Sequence, residues 1–274
     1  MRLFFYKILK KLIFILGLER QAYLGAEKYV HEYGAEDNGD MQTNGEFRLL
    51  EKNSRLFGVV FDVGANLGDW SSRFISLKSK QEDDNFQIHC FEPAPETFCL
   101  LKSKNFPKNV FLNNFGLCDA TGKRSMFILG AESGGHSFYR NFEGDSWNPS
   151  VNKKYGTKRE IFVETLDYYC STRGIASIDF LKVDTEGAEV AVLLGARNLI
   201  KNSAIAVIQF EYNGCWIEAK RFLKDVFDAF EGLPYAFYKI FPNELKRIDY
   251  YDQRLENFHY CNYLIVRNGF PLVR

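Results

Sequence analysis

Phe61-Asp62-Val63-Gly64-Ala65-Asn66-Leu67-Gly68-Asp69-Trp70 is the stretch that decides the fold. An apolar run ends in an acid, turns through two glycines and opens a helical pattern at Asp69, the way a parallel strand delivers its end to a ligand site. Gly64 lets the chain turn and leaves room for a ligand close to the backbone, while Gly68 lets the start of the helix pack tightly. Taken alone, two glycines four apart are as compatible with an ordinary strand-to-helix turn. A dinucleotide fingerprint would place glycine at 64, 66 and 69, but 66 is Asn and 69 is Asp, so an NAD-dependent enzyme is the weaker enzymatic reading. The carboxylate of Asp62 agrees: a pyrophosphate beside it would be repelled, whereas a ligand carrying a cationic amino group would be held.

Outward from this turn, short apolar runs alternate with helical segments, the pattern of parallel strands joined by crossover helices. Strands are expected at 58–62, 86–92, 110–114, 178–184, 204–211, 235–240 and 260–266, and helices at 69–77, 95–103, 165–170, 188–201 and 217–230. The fold class is therefore α/β and Rossmann-like, a mostly parallel seven-stranded sheet with helices on both faces. Between 123 and 164 the rhythm breaks. Extra strands are expected at 126–129 and 160–163, and 133–148, rich in Gly, Ser and aromatics, reads as a long loop of the kind that often carries function. The chain divides into an N-terminal helix over 1–18, a surface-exposed lead-in with some helix over 19–56, and a domain over 57–274.

Two further acids fall on the same rim. Cys90-Phe91-Glu92-Pro93-Ala94-Pro95 ends a strand in Glu92 before a helix that Pro95 can start. Glu92 lies 28 residues after Gly64, longer than the roughly 20 of a standard nucleotide-binding unit, and the polar insertion 78–85 accounts for the excess. A carboxylate there accepts hydrogen bonds from two ribose hydroxyls; the plainer reading is a solvated strand end. Ile178-Asp179-Phe180-Leu181-Lys182-Val183-Asp184-Thr185-Glu186-Gly187-Ala188-Glu189 places Asp184 at the mouth of a central strand. Glu186 and Glu189 then start a helix, where acids are favoured electrostatically without any further role. Ligands of open α/β sheets gather outside the carboxyl ends of the strands, where Asn114 and Glu211 are also expected.

Composition narrows the partners. Lys plus Arg and Asp plus Glu number 35 each in 274 residues, so no global basic field gathers nucleic acid, and no basic stripe interleaved with aromatics is present. The six cysteines lack metal-ligand or redox spacing and read as reduced, mostly buried thiols of a cytoplasmic protein. In residues 1–18 the longest uncharged run, 12–18, is far short of the roughly 20 residues that span a bilayer. On a helix Lys7, Lys10 and Lys11 fall within an arc of about 100°. Leu3, Phe4, Phe5, Ile8, Leu12, Ile15 and Leu16 occupy the remaining surface, which suits peripheral contact with an anionic membrane. Packing on the domain is the second reading. A secretory signal is the third, weakened by a minimal apolar run with no small-residue cleavage site close behind.

Together these blocks resemble the FkbM-type methyltransferases, which use S-adenosylmethionine mostly to methylate hydroxyl groups of sugars and other natural products. The resemblance covers about 57–266. It rests on Phe61-Asp62-Val63-Gly64-Ala65-Asn66-x-Gly68, Phe91-Glu92-Pro93-x-Pro95, Asn114 with Asp119 and Gly122, Thr165-Leu166-Asp167, and Asp179 to Glu189. It implies a Rossmann-like class I methyltransferase fold, cofactor contacts at Asp62, Gly64, Ala65, Asn66, Gly68, Glu92, Pro93 and Asp184, and Asn114 and Gly116 near the adenine. Gly116 stands where an alanine is common, and 130–148 looks individual to this chain, which bears on the acceptor rather than the cofactor.

Methyl transfer to a hydroxyl needs alignment and a base. Asp184 is the first candidate for its rim position and His136 the second for its place in the Gly-rich loop. Asp184 and Glu211 can alternatively hold a divalent ion that acidifies the hydroxyl, although the sequence does not require one. The acceptor expected is a small molecule or glycan, with Tyr139, Phe142, Trp147 and Tyr155 as aromatic faces for sugar rings. The non-enzymatic alternative is a silent module of the same fold recruited to a membrane or partner.

Overall fold

The strand Val59–Val63 (β1) places Phe61 and Val63 in one apolar cluster and Val60 in another, as a central strand covered on both faces requires. A computed structural model describes residues 2–130, 135–139 and 157–274 of the chain around it. Ahead of β1 lie helices Arg2–Ile15 (α1), Glu19–Gly34 (α2) and Glu46–Asn53 (α3). After it come Asp69–Lys80 (α4), Gln87–Phe91 (β2), Pro95–Ser103 (α5) with Pro95 in its first turn, and Val110–Asn113 (β3). Gly116–Leu117 (β4), Gly122–Ile128 (β5) and Thr157–Glu164 (β6) follow. The second half runs Leu166–Arg173 (α6), Ile178–Val183 (β7), Glu189–Leu194 (α7), Arg197–Lys201 (α8), Ile205–Tyr212 (β8), Cys215–Ala219 (α9) and Leu223–Ala229 (α10). Tyr235–Ile240 (β9), Leu245–Ile248 (β10) and Cys261–Arg267 (β11) close it.

The main sheet has the order β10-β9-β11-β8-β7-β1-β2-β3. From β3 to β8 the pairings are parallel, and β11 enters antiparallel between β8 and β9. All seven expected strands are present. The eighth, β10, pairs antiparallel with β9 at the edge. The order steps outward from β1 in both directions, through β2 on one side and β7 on the other, so the crevice of the sheet lies at the carboxyl end of β1. The expected extra strands at 126–129 and 160–163 are the antiparallel pair β5 and β6, and β4 completes a second, three-stranded sheet.

Two expected helices are each divided. The segment 188–201 breaks after α7, where a side chain at Gly195 would meet the Cys118 carbonyl oxygen at 2.1 Å. The carboxylate of Asp167 takes the exposed N–H groups of Asn198 and Leu199 at the start of α8. The segment 217–230 breaks at Lys220, which adopts a left-handed conformation, and Glu256 accepts from the N–H groups of Leu223 and Lys224 where α10 restarts. In both cases a distant carboxylate supplies the cap, which local periodicity does not reveal.

The lead-in is not uniformly exposed. Within α2 no residue is buried, but Leu49 and Leu50 of α3 are buried with Phe57, Trp70, Phe74 and Phe180. The cysteines are free thiols, with Cys90, Cys118, Cys170 and Cys261 buried. Because α3 joins the core, Leu50→Ala should cost about 3 kcal/mol, read as a lower urea midpoint with an unchanged slope.

Candidate active site

Four strand ends meet at a cavity of about 290 Å³. Gly64 follows β1, Phe91 ends β2 with Glu92 and Pro93 just beyond it, Asp184 follows β7, and Glu211 is the penultimate residue of β8; all line it, with Asn66, Gly116 and Asn213. Gly64 has φ +83°, and a Cβ there would lie 1.7 Å from the carbonyl oxygen of Asp184. The ends of β1 and β7 therefore touch backbone to backbone, which only glycine permits. Gly68, also at positive φ, faces Leu101 and Phe106. It packs the start of α4 against α5, and it lies away from the cavity lining, apart from the place a cofactor contact at this residue would need.

Glu92 is buried, with one carboxylate oxygen accepting from the Asn66 N–H at 3.0 Å and the other from the Ala94 N–H at 2.8 Å. The solvated-strand-end reading is thereby excluded. Burial pushes its carboxyl up to about 7. The Oδ1 of Asn66 is buried at the cavity without a partner among the described residues. Asn114 stands just outside the lining and donates to the carbonyls of Glu92 and Pro93, so it shapes this wall from behind. At Gly116 a Cβ would meet Phe138 and Val163 at 3.3 Å, which explains why the smallest residue occupies this wall of the cavity.

The opposite wall is a cluster of acids. Oxygens of Asp184, Glu186 and Glu211 lie within 4.8 Å of one another. Burial, and then Asp184 and Glu186, raise the Glu211 carboxyl well above the ordinary range, and Glu186 is raised by burial and by Asp184. Asn213 donates to both Glu186 and Glu211. Glu189 is not merely a favourable charge at the start of α7. It is buried and accepts from the Thr185 N–H, the Thr185 hydroxyl and the Gly187 N–H, which fixes the loop presenting Asp184 and Glu186.

One cation sits among these acids. Lys182, buried in β7, places Nζ 2.7 Å from Asp184 and 4.0 Å from Asp62. Burial by itself would drive the ammonium toward neutrality, but Asp184, Asp62 and Glu46 outweigh it and raise its pKa. Glu46, from α3, is itself buried and held by Asn44, Gln209 and Asn262.

Two sequence expectations are corrected here. Asp62 is fully buried, accepts from the Ser71 hydroxyl at 2.6 Å and does not line the cavity; its strand position turns it toward α4, so it reaches the site only through Lys182. His136 lines the cavity, but Nδ1 accepts from the Leu129 N–H and Nε2 meets the Thr97 hydroxyl at 2.8 Å. With both ring nitrogens engaged by the protein, it is a poor base. Ala65 is buried among core residues, so any contact it makes with a ligand is through its backbone. Tyr139 packs over Gly187, while Phe142, Trp147, Tyr155 and most of the 133–148 loop lie outside the described residues.

Sequence reasoning missed Gly39, Met41, Glu46 and Tyr260, which line the cavity from the lead-in and from the residue just before β11. Nothing in their local sequence marks them. Lys182 did carry a signal, a lysine set between Leu181 and Val183 in a central strand.

Residues 62–263 match the family described as the Methyltransferase FkbM domain. The chain is 27% identical over 169 residues to the 2-O-methyltransferase NoeI of Sinorhizobium fredii, covering 59% of this chain and 65% of that protein. It is 27% identical over 165 residues to the 31-O-demethyl-FK506 methyltransferase FkbM of Streptomyces tacrolimicus, with 51% and 60% covered. Against the hexuronic acid methyltransferase AglP of Haloferax volcanii it is 25% identical over 166 residues, 59% of each chain. The chain thus spans about three-fifths of the length of the curated relatives it matches.

Removing the ammonium tests the charge arrangement directly. Lys182→Met should destabilise the protein by about 3 kcal/mol or more at pH 8, where Asp62, Asp184 and Glu46 lose their counterion. Burial raises the carboxyls of Asp62 and Glu46, so they take up protons as pH falls and the penalty should shrink at pH 5.5. Urea unfolding of the variant and parent at both pH values measures the difference.

Proposed function

This chain belongs to the FkbM methyltransferase family, and on that premise we propose that it transfers a methyl group from S-adenosylmethionine to a hydroxyl of a sugar or related small molecule. The observation that carries the reading is the excess of carboxylates around one cavity at the sheet's carboxyl edge: Glu92, Asp184, Glu186 and Glu211 line it, and one buried ammonium, Lys182, stands behind them. When bound, the cofactor supplies an electrophilic methyl group on a sulfonium beside a cationic amino group. Such a ligand complements an anionic cavity, whereas a dinucleotide pyrophosphate does not.

Glu92 is the ribose ligand of this reading, its carboxylate already aimed by the N–H groups of Asn66 and Ala94. Gly64 gives backbone access, Asn66 offers an oxygen without a partner among the described residues, and Pro93 and Gly116 form the wall toward the adenine, braced by Asn114. Asp184 orients the acceptor hydroxyl and takes its proton. Lys182 holds that carboxylate in place, and Glu211 and Glu186 fix the surrounding charge. These three carboxylates also form an oxygen donor set suited to a magnesium-class ion, which would lower the pKa of a bound hydroxyl. The relatives named as a 2-O-methyltransferase and a hexuronic acid methyltransferase support hydroxyl and sugar acceptors.

The first test is calorimetry with S-adenosylhomocysteine. Micromolar binding should be lost in Glu92→Ala, and NAD should not bind; failure to bind the nucleoside would overturn the reading. Ribose hydroxyls favour the ionised form of Glu92, so affinity should fall as pH drops from 8 to 6 through the group's value of about 7, with proton release on binding near neutrality. Asp184→Asn should keep the nucleoside but lose about 10²-fold or more in kcat. EDTA separates the two uses of the acid cluster: lost activity restored by Mg²⁺ assigns it to a metal, and unchanged activity to proton transfer.

Within the same reading, α1 lies on an anionic membrane surface. Phe4, Phe5, Leu9, Phe14 and Ile15 are exposed, and Lys7, Lys10 and Lys11 supply the charge that phospholipid headgroups attract. Among the described residues no helix is long and apolar enough to cross a membrane. Co-sedimentation with phosphatidylserine vesicles should fall sharply when residues 1–18 are removed; equal partitioning would eliminate this part.

A further inference from the structure

The C-terminal end of α2 meets the segment preceding β11 at a cluster of side chains that the methyl-transfer reading does not use. His31 and His259 approach with ring centroids 3.8 Å apart. Asp37 closes the group, its carboxylate oxygens 3.0 and 3.2 Å from Nδ1 of His259. One ligand atom from each of the three, an imidazole nitrogen from each histidine and a carboxylate oxygen, lies within 4.8 Å of the other two. We propose that His31, Asp37 and His259 bind a divalent transition ion of the zinc type, which clips the lead-in helix to the domain beside the active-site cavity.

Three features support a ligand set over a chance surface grouping. Two imidazoles and one carboxylate are the donors zinc prefers when three protein ligands leave a position for water. Bonds of about 2.0–2.1 Å place neighbouring tetrahedral ligands roughly 3.3 Å apart. The contacts of 3.0 and 3.2 Å between Nδ1 of His259 and the Asp37 carboxylate are close to that spacing, so the ion replaces the proton now shared there.

Second, His31 Nδ1 is 2.9 Å from the Glu36 carboxylate, the outer hydrogen bond that orients a ligating imidazole. Glu36 is fixed in turn by Lys239 and Asn257. Third, the backbone is set for the purpose: Asp37 holds φ +59°, unusual for a residue other than glycine, and its N–H donates to the Tyr260 carbonyl at 2.8 Å.

The position gives the ion a consequence. Asp37 and His259 are 222 residues apart in sequence, so a bond between them closes a long loop. The chain just beyond each is cavity wall: Gly39 and Met41 after Asp37, and Tyr260 after His259. An ion bridging the two therefore locks the part of the wall that sequence motifs do not supply.

The test uses the full chain, stripped with EDTA and desalted, then titrated at pH 7.5 with Zn²⁺ in competition with a chromophoric chelator. One equivalent should bind with micromolar affinity or better, and Zn²⁺ should raise the Tm. His259→Ala and Asp37→Asn should each lose at least tenfold in affinity and the rise in Tm. The Asp184→Asn, Glu211→Gln double variant should keep both, which separates this site from the acid cluster and from any failure of the proposed activity. Co²⁺ in the unmodified chain should give the intense visible absorption of a four-coordinate site, a readout independent of any variant. No Zn²⁺ binding, or binding unchanged in His259→Ala, would refute the proposal.

Discussion

The Lys182 ammonium sets the terms for everything around the cavity. It lies in β7, in register with Asp62 on β1 and Gln209 on β8, buried in the middle of the sheet. Burying an ammonium is costly unless carboxylates surround it, and burying carboxylates is costly without a cation. Asp62, Asp184 and Glu46 share this one counterion. The network therefore joins three places in the fold, the end of β1, the end of β7 and the helix α3, and none of its members is satisfied alone.

The same arrangement leaves the site with charge to spare. Lys182 balances part of the acid content, while Glu186 and Glu211 carry raised pKa values through burial and mutual repulsion, as for acidic groups crowded at low local dielectric. A cationic ligand at this edge relieves that repulsion. A rigid backbone junction sits beneath it, where Gly64 presses against the Asp184 carbonyl, and Glu92 and Glu189 each tie a loop down through its own N–H groups. Glu92 and Glu189 are thus held by hydrogen bonds from backbone N–H groups, the kind of support that fixes side-chain geometry in advance.

The periphery follows a different logic. The long segment ahead of β1 leaves α2 without a buried residue, yet α3 inserts Leu49, Leu50 and Glu46 into the domain, and Gly39 and Met41 reach the cavity. Residues far outside the match to the family thereby complete a wall of the site.

By itself the sequence determined the seven strands, the mostly parallel character of their sheet and the rim on which Glu92, Asp184 and Glu211 stand, because apolar periodicity and strand-end acids are local patterns with direct geometric meaning. It also marked Gly64 and Gly68, since positive backbone angles leave few alternatives to glycine. The breaks in helices 188–201 and 217–230 were hidden because their caps, Asp167 and Glu256, come from elsewhere in the chain. Only the tertiary structure turned Asp62 away from the cavity and toward Lys182, and only it engaged both nitrogens of His136. It alone brought Glu46 and Tyr260 to the site and His31 to His259. The reason is common to all of these: which way a buried polar group faces, and what answers it, is settled by residues far away in sequence, and a local pattern carries no record of them.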